Sequence, residues 1–261
     1  MPKRQETVDV VNNIVPLPNG GSEIVTTKIK KVYQNGVLSE IMYLNDKDQL
    51  HREGEEPAHI IYWEGTNKVQ LEIWSLNDQM YRKIEYDARS IKYKEMWFKN
   101  GKTHRDGDLP AHIIYNKKGT FHRDLIWYQH GKIHREGDLP AIEWYNDIKG
   151  YVYYRSWCKN DVYYRENDLP TVEKYNEQGI VTSREWHSGN GKFHREGGPA
   201  LIQYSSDGKT ILNKKWYKND IEYEPIECKA NENADLIDKI KKFDRKDLEK
   251  CLAILEIINT K

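Results

Sequence analysis

Residues 109–115 read Leu-Pro-Ala-His-Ile-Ile-Tyr, and residues 139–145 read Leu-Pro-Ala-Ile-Glu-Trp-Tyr. Segments of this kind recur about every 30 residues along most of the chain, and a tryptophan follows each of them. The anchors of the pattern are Pro110, Pro140, Pro170 and Pro199, Tyr115, Tyr145 and Tyr175, and Trp74, Trp97, Trp127, Trp157, Trp186 and Trp216. A spacing of about 20 to 50 residues indicates a repeat architecture, so that residues shared by all copies belong to the scaffold.

Two kinds of turn separate the recurring segments. One is a two-residue turn between aromatic-rich runs, as at Asn100-Gly101 and His130-Gly131. Asn-Gly is typical of a type I′ hairpin, in which both central residues need a positive φ. The other turn follows the tyrosine and ends in a glycine, as at Gly119. Since these segments show no apolar stripe of helical period, the pattern predicts an antiparallel up-and-down sheet and excludes a helical solenoid.

The predicted fold is mostly β. We expect an elongated, twisted antiparallel meander of about six to seven repeats, each of about 30 residues. The meander is predicted over residues 29–227, after a segment without repeat anchors at residues 1–28. A closed barrel or a propeller is the alternative, but a four-stranded propeller blade takes about 40–45 residues, which exceeds this period.

Residues 228–261 have a different character. Their apolar residues fall at helical spacing in two groups, and Asp244 is a suitable residue to begin the second helix. The groups are Leu236, Ile237, Ile240 and Phe243, then Leu248, Cys251, Leu252, Leu255 and Ile258. We predict a small C-terminal α-helical cap, because an open end of a repeat array exposes strand edges. Docking of a partner on this segment is the alternative.

The hairpin turns also predict a strand register. A two-residue loop at His130-Gly131 places Trp127 opposite His134. The same count pairs Trp97 with His104, Trp157 with Tyr164, Trp74 with Tyr81, and Trp216 with Tyr223. Directly opposed aromatic pairs stabilise a sheet by roughly 0.2–1 kcal/mol each. The register therefore predicts one ring-on-ring pair in each repeat.

The composition restricts the class of protein. The 41 Lys and Arg balance the 41 Asp and Glu, and this argues against nucleic acid as a partner, since nucleic-acid binders usually show a basic excess. Three scattered cysteines form neither a disulfide framework nor a Cys-x-x-Cys motif, which favours a reducing, cytoplasmic compartment. The sequence shows no apolar run that indicates a signal peptide or a transmembrane span.

The recurring segments resemble MORN-type repeats. The resemblance rests on residues 114–119, Ile-Tyr-Asn-Lys-Lys-Gly, and 126–134, Ile-Trp-Tyr-Gln-His-Gly-Lys-Ile-His, and it extends from about Tyr33 to Tyr223. The similar form is the variant rich in His-Arg-Glu-x-Gly-Pro-Ala, which is abundant in giant DNA viruses of amoebae and in some intracellular bacteria. The resemblance implies a β-repeat scaffold, in the host cytoplasm if the chain is viral. Lipid-head-group binding is suggested for some members; here Arg135 and Arg195 replace the glycine that typically follows the histidine.

Histidines recur beside acids in the pattern. They are His51, His104, His134 and His194, each with Glu or Asp two residues later. Imidazole beside a carboxylate can bind zinc or transfer protons. However, Tyr81, Tyr164 and Tyr223 take the same position in other copies, and tyrosine replaces histidine only as a flat ring against tryptophan. We therefore interpret His104, His134, Tyr164 and His194 as scaffold anchors, and we predict no catalytic residue, no metal ligand and no cofactor.

Arginines form the second recurring row: Arg52, Arg82, Arg105, Arg135, Arg165 and Arg195. Guanidinium groups spaced along a sheet can hold phosphates or acidic partners. We take Arg52, Arg105, Arg135, Arg165 and Arg195 as the candidate binding face. The simpler interpretation is that each arginine pairs with a carboxylate on the wet face, such as Asp124 or Glu185, and the zero net charge favours it.

One residue departs from the pattern. Cys158 follows Trp157 at the position where Phe98, Tyr128 and Tyr217 follow their tryptophans. A small apolar filler explains it better than a nucleophile does, because no general base is unique to that copy.

These features together predict a non-enzymatic scaffold that binds another protein or itself. Aromatic and arginine residues are the types enriched at binding hot spots. An edge-to-edge homodimer is one form of this prediction, since an open sheet leaves unpaired edge strands. Peripheral binding to anionic lipid through the arginine row is the first alternative, and a metal- or histidine-dependent enzyme is the second.

Overall fold

The computed structural model describes residues 3–16, 18 and 20–225, and this part of the chain is all β, with no helix among the described residues. The prediction of an antiparallel meander is confirmed, because every strand pairing is antiparallel. The predicted helical cap at residues 228–261 lies outside the described residues.

Twenty-one strands follow one another along the described part of the chain. They are β1 Arg4–Pro16, β2 Ser22–Gln34, β3 Val37–Leu44, β4 His59–Tyr62, β5 Val69–Leu76, β6 Gln79–Tyr86, β7 Lys92–Lys99, β8 Lys102–Thr103, β9 His112–Tyr115, β10 His122–Ile126, β11 Tyr128–Gln129, β12 Lys132–Ile133, β13 Ile142–Tyr145, β14 Val152–Ser156, β15 Cys158–Lys159, β16 Val162–Tyr163, β17 Val172–Tyr175, β18 Val181–Glu185, β19 Leu201–Tyr204, β20 Ile211–Lys218 and β21 Ile221–Tyr223.

The main sheet is built from neighbours in sequence. Strands β1 to β7 pair in order, then β7 pairs with β9, β9 with β10, β10 with β13, β13 with β14, β14 with β17, and β17 to β20 in order. The short strands β8, β11, β12, β15, β16 and β21 form hairpins beside this sheet. The segments around Trp97, Trp127, Trp157 and Trp216 thus carry a side hairpin, whereas the short copy adds β5 and β6 to the main sheet without one.

The first hairpin is the longest element. Strands β1 and β2 pair over 13 residues each, from Arg4 with Gln34 to Pro16 with Ser22. Strand β3 covers the other side of β2 only from Lys28 onward, so the outer part of the hairpin projects from the sheet as a two-stranded ribbon. The predicted boundary at residue 28 thus falls inside β2.

The predicted hairpin turns are confirmed. Asn100 and Gly101 have φ of 51° and 72°, and His130 and Gly131 have φ of 51° and 87°. These are the left-handed values that a type I′ turn requires at both central residues. The Asn-Asp copies at residues 77–78, 160–161 and 219–220 adopt the same conformation without a glycine, which asparagine and aspartate tolerate better than other residues.

The predicted register is confirmed at four hairpins and wrong at one. Beside the turn at residues 130–131, Tyr128 pairs with Ile133, and the amide of His134 donates to the carbonyl of Trp127 at 3.0 Å. The equivalent partners of Trp97, Trp157 and Trp216 also follow the prediction. Trp74, however, lies opposite Arg82 instead of Tyr81. A bulge between Trp74 and Ser75 absorbs the extra residue, because β6 continues as a strand of the main sheet and must stay in its ladder.

The core is thin and rests on tryptophan and alanine. Trp74, Trp127, Trp157 and Trp186 are buried, and so are Ala58, Ala111, Ala141 and Ala200, which follow the recurring prolines. The amide of Trp127 donates to the carbonyl of Ala141 at 2.9 Å, and the same bond joins Trp97 to Ala111. Thr171 takes the alanine position in one copy, where it is 5% exposed and its carbonyl accepts from the amide of Trp157 at 2.9 Å, so this position is buried and accepts small side chains.

Candidate functional site: the arginine row

Arg135 shows how the arginines of the row are held. Its guanidinium lies over the ring of Trp127, with 3.9 Å from Cζ to the ring centroid. Nε and Nη2 each donate to a carboxylate oxygen of Asp108 at 2.9 Å, and Nη1 donates to the carbonyl of Pro140 at 3.1 Å. The side chain of Arg135 is only 14% exposed. One flat cation thus covers a ring, binds an acid bidentately and satisfies a backbone carbonyl.

The next two copies repeat this geometry. The Cζ of Arg165 lies 3.7 Å from the ring centroid of Trp157, and its Nε donates to Asp138 at 2.7 Å. The side chain of Arg165 is 12% exposed. Its hydrogen bond lowers the pKa of the Asp138 carboxyl. Arg195 covers Trp186 at 3.8 Å and pairs with an oxygen of Asp168 at 2.7 Å. In each case the acid lies 27 positions earlier, in the Gly-Asp-Leu-Pro or related loop of the preceding copy.

The first two arginines of the candidate face differ. Arg105 lies over Trp97 at 4.1 Å and donates to the carbonyl of Pro110 at 3.3 Å, while Arg52 lies over Tyr43 at 3.8 Å and donates to the carbonyl of Pro57 at 3.1 Å. Within residues 3–225 as described, neither forms an ion pair. Burial lowers the pKa of the Arg105 guanidinium from its ordinary value.

Arg82 belongs to a separate cluster around Glu95. Glu95 is 4% exposed, and it accepts from Arg82 Nε at 3.0 Å, Trp97 Nε1 at 3.0 Å, Tyr115 Oη at 2.8 Å and Lys92 Nζ at 3.2 Å. Burial acts to raise the pKa of this carboxyl, but the Tyr115 hydroxyl and the two cations outweigh it, so the pKa is lowered. A buried carboxylate is retained here because all of its bonding capacity is used.

The histidines do not cover the tryptophans, which corrects the predicted ring-on-ring pairs. Arg135, and not His134, lies over the Trp127 ring. His134 Nε2 instead lies 3.0 Å from Glu136, and His104 Nε2 lies 2.9 Å from Asp106. The reason is geometric: a guanidinium can stack on a ring and still reach an acid and a carbonyl, whereas an imidazole has too few donors for all three roles.

The carboxylate partners named from the sequence are also wrong. Asp124 pairs with the adjacent Arg123 at 2.8 Å, and Glu185 pairs with Lys174 at 2.6 Å. The loop aspartates Asp108, Asp138 and Asp168 were missed as partners of the row. A signal was present, since each of them precedes its arginine by the same 27 positions.

The described residues include no cluster of side chains that could bind a metal ion. In the part of the chain that the structure describes, no three His, Cys, Asp or Glu side chains lie close enough together to hold a metal ion. Cys158 is buried and forms no disulfide within the described residues, and burial raises the pKa of its thiol.

Comparison with known proteins finds no matching family model and no matching curated protein. The strand meander is compatible with a repeat protein, and it does not identify the MORN type. Among the described residues, no helix is long and apolar enough to cross a membrane.

Proposed function

We propose that this chain is a non-enzymatic scaffold that assembles through its sheet edge, with a second copy of the chain as the occupant of that edge. The observation that carries the proposal is strand β1. All 13 of its residues are exposed, and its only partner among the described residues is β2. A strand with one free side presents unpaired amide and carbonyl groups, which form a template for another strand.

The outward-facing residues of β1 follow from its register. The amide of Asn35 donates to the carbonyl of Lys3 at 3.0 Å, so the odd-numbered residues of β1 bond to β2. The even-numbered residues therefore direct their backbone groups away from β2. Val8, Val10 and Ile14 are among them, and they are 55%, 60% and 75% exposed. The free edge is thus both apolar and rich in unpaired hydrogen-bonding groups.

A second copy fits this edge by charge and by register. The acids on β1 are already neutralised within the chain, Glu6 by Lys30 at 2.8 Å and Asp9 by Lys31 at 3.2 Å. An antiparallel β1–β1 pair centred on Val10 places Asp9 opposite the second copy's Val11, so no like charges face each other. An isolated two-stranded ribbon is marginal in water, and a four-stranded one pairs the free backbone groups of both β1 strands.

The test is the mass in solution. We expect light scattering to give twice 31.0 kDa for the native chain at high concentration and 31.0 kDa for the double variant Val10→Lys with Ile14→Lys. Leu212→Lys is the matched control, because Leu212 is 68% exposed on β20, far from β1 in strand order, and it should leave the dimer intact. A native chain that stays monomeric at every concentration, or a dimer that survives the β1 double variant, would contradict the proposal.

Anionic-lipid binding through the arginine row receives no support from the geometry. Arg135, Arg165 and Arg195 are 12–17% exposed and are bound to carboxylates of their own chain. A phosphate would have to displace those acids, which makes these three arginines a poor site for a head group.

A further inference from the structure

Arg105 has two hydrogen-bond donors that its counterparts in later copies give to an acid. In those copies Nε and Nη2 together bind the carboxylate of a loop aspartate, and Nη1 holds a proline carbonyl, at Arg135, Arg165 and Arg195. Arg105 has the same pose, since it lies over Trp97 and its Nη1 donates to the carbonyl of Pro110. Its Nε and Nη2 form no hydrogen bond within the described residues. The ring and the carbonyl thus hold two unused donors in the geometry that binds a carboxylate elsewhere in this chain.

The two unused donors of Arg105 are open to solvent. Among the described residues, the buried side-chain N and O atoms without a partner belong to Ser75, His112, His134, Trp157 and His194. Arg105 is half-buried and is not one of these residues, so its unpaired Nε and Nη2 reach the surface. A ligand can therefore approach both donors from outside the chain.

The deleted loop explains why Arg105 has no acid. In the later copies the acid comes from the loop of the preceding copy, 27 positions before the arginine. The copy that precedes Arg105 is the short one, which lacks the Gly-Asp-Leu-Pro loop. The charged neighbours of Arg105 do not replace that acid. Arg82 and Glu95 act on its guanidinium with opposite signs and pair with each other at 2.9 Å, while Asp106 accepts from Lys99 at 2.9 Å.

An apolar groove accompanies the unpaired arginine. In a later copy, the loop residue Leu139 lines a cavity together with Cys158 and Arg165. The equivalents of Cys158 and Arg165 in the earlier copy are Phe98 and Arg105. Phe98 lines a groove of about 250 Å³, whose other apolar walls are Leu76, Met80 and Tyr81. By this correspondence, the groove takes the place of the leucine that the deletion removed.

We propose that Arg105 and this groove bind a segment of another protein in which an aspartate precedes a leucine or a similar apolar residue. The aspartate accepts from Nε and Nη2 of Arg105, and the apolar side chain enters the groove beside Phe98. The chain's own loops show this chemistry, because a leucine follows each of the paired aspartates Asp108, Asp138 and Asp168. Charge complementarity favours an acidic segment, since a half-buried guanidinium without a counter-ion gains most from a carboxylate. This proposal does not depend on assembly through β1.

Two short peptides test the proposal on the full-length chain. The probes are the blocked peptide acetyl-Gly-Asp-Leu-Pro-amide, which has the sequence of residues 137–140, and its counterpart with asparagine in place of aspartate. NMR of the tryptophan indole N–H signals reports binding, because Arg105 lies 4.1 Å from the Trp97 ring, and Trp97→Phe assigns that signal. We expect the aspartate peptide to shift the Trp97 signal with a Kd of about 1 mM or lower, and the asparagine peptide to bind at least about tenfold more weakly. No shift with the aspartate peptide, or equal affinity for the two peptides, would overturn the proposal.

Two arginine variants locate the site. Arg105→Lys keeps the charge but loses the two-donor geometry, and it should weaken binding of the aspartate peptide at least about tenfold. Arg89→Lys is the matched control, because Arg89 is 65% exposed in the turn after β6, and it should leave the affinity unchanged. Unchanged affinity in Arg105→Lys, with the other indole signals in place, would refute the assigned site. The comparison of the two peptides on the native chain does not depend on these variants.

Inorganic phosphate is the remaining probe, since a guanidinium also binds this oxyanion. We expect phosphate to shift the Trp97 signal more weakly than the aspartate peptide does, because phosphate leaves the apolar groove unused. Phosphate that binds more tightly than the peptide would identify a phosphate site and overturn the proposal.

Discussion

Replacing Arg135 by lysine separates the shape of the arginine contact from its charge. Lysine keeps the positive charge, but it loses the flat stack on Trp127 and one of the two bonds to Asp108. The stack is worth about 0.5–1 kcal/mol and a net hydrogen bond about 0.5–1.5 kcal/mol. We expect Arg135→Lys to lower the free energy of unfolding by about 1–2 kcal/mol. Arg135→Ala should lower it by about 2–4 kcal/mol, because the carbonyl of Pro140 also loses its donor.

A double-mutant cycle isolates the ion pair. Asp108 is 53% exposed, so solvent screens the pair, and we expect a coupling of about 0.5–1.5 kcal/mol between Arg135→Ala and Asp108→Ala. The matched control is Lys149 with Glu177, a pair of similar sequence separation whose side chains are 57% and 48% exposed. Without a ring or a bidentate contact, its coupling should be clearly smaller than that between Arg135 and Asp108.

The assay is urea unfolding followed by tryptophan fluorescence and by circular dichroism. Two probes are needed because a long array of strands can unfold in more than one step. Arg135→Lys with the stability of the native chain, or a coupling at Arg135–Asp108 no larger than at Lys149–Glu177, would refute the reasoning that shape and not charge holds the row.

Three further predictions concern packing, pH and shape. Gly119→Ala should lower the free energy of unfolding in urea by about 2–4 kcal/mol, and Gly65→Ala by about 1 kcal/mol. Both glycines have a φ of 69°, but only at Gly119 would an added Cβ lie 2.9 Å from Ile91. Equal losses of stability in the two variants would contradict this reasoning. The lowered pKa of Glu95 means that its contribution is fully present above its ordinary value of 4.5 and is lost as the pH falls through the folded-state pKa. Glu95→Gln should therefore be less stable at pH 7 and lose less stability on acidification than the native chain, which urea midpoints at pH 7, 4 and 3 would measure; parallel curves would contradict it. For the monomeric variant Val10→Lys with Ile14→Lys, small-angle X-ray scattering should give a longest dimension of at least about 65 Å. This length follows from 15 strands of the main sheet spaced by about 4.8 Å. A radius of gyration near the roughly 18 Å of a compact chain of this length would instead favour a closed barrel.

The strand meander could be predicted because its signals are local. Asn100-Gly101 and His130-Gly131 specify a turn by their own conformational freedom, and the turn then sets the pairing of the next few residues. The same argument failed at Trp74, where the partner strand belongs to the main sheet. The bulge there is imposed by the ladder from Leu71 to Trp74, which the two turn residues do not encode.

The partners of the arginines could not be derived from strand register. Arg165 and Asp138 lie in two loops, and no ladder joins those loops, so their approach depends on how far one copy is displaced from the next. The sequence shows the recurrence of both residues, but only the stacking of the copies shows that they meet. The sequence predicted that an open sheet leaves unpaired edge strands. It did not predict that residues 4–16 form such a strand, 13 residues long, in a projecting ribbon.

The short copy explains why Glu95 is buried. The segment that precedes Tyr86 lacks the Gly-Asp-Leu-Pro loop, so it supplies no loop aspartate for an arginine and no loop carbonyl for an indole. Asp78, which lies 27 positions before Arg105, is in a hairpin turn and accepts from the amide of Leu50 at 2.7 Å. Glu95 takes over the missing roles, since it binds both the indole of Trp97 and the guanidinium of Arg82. Among the tryptophans that anchor the repeats, Trp74, Trp97, Trp127 and Trp186 thus each have an acceptor, from a loop or from Glu95, whereas the buried indole N–H of Trp157 has none.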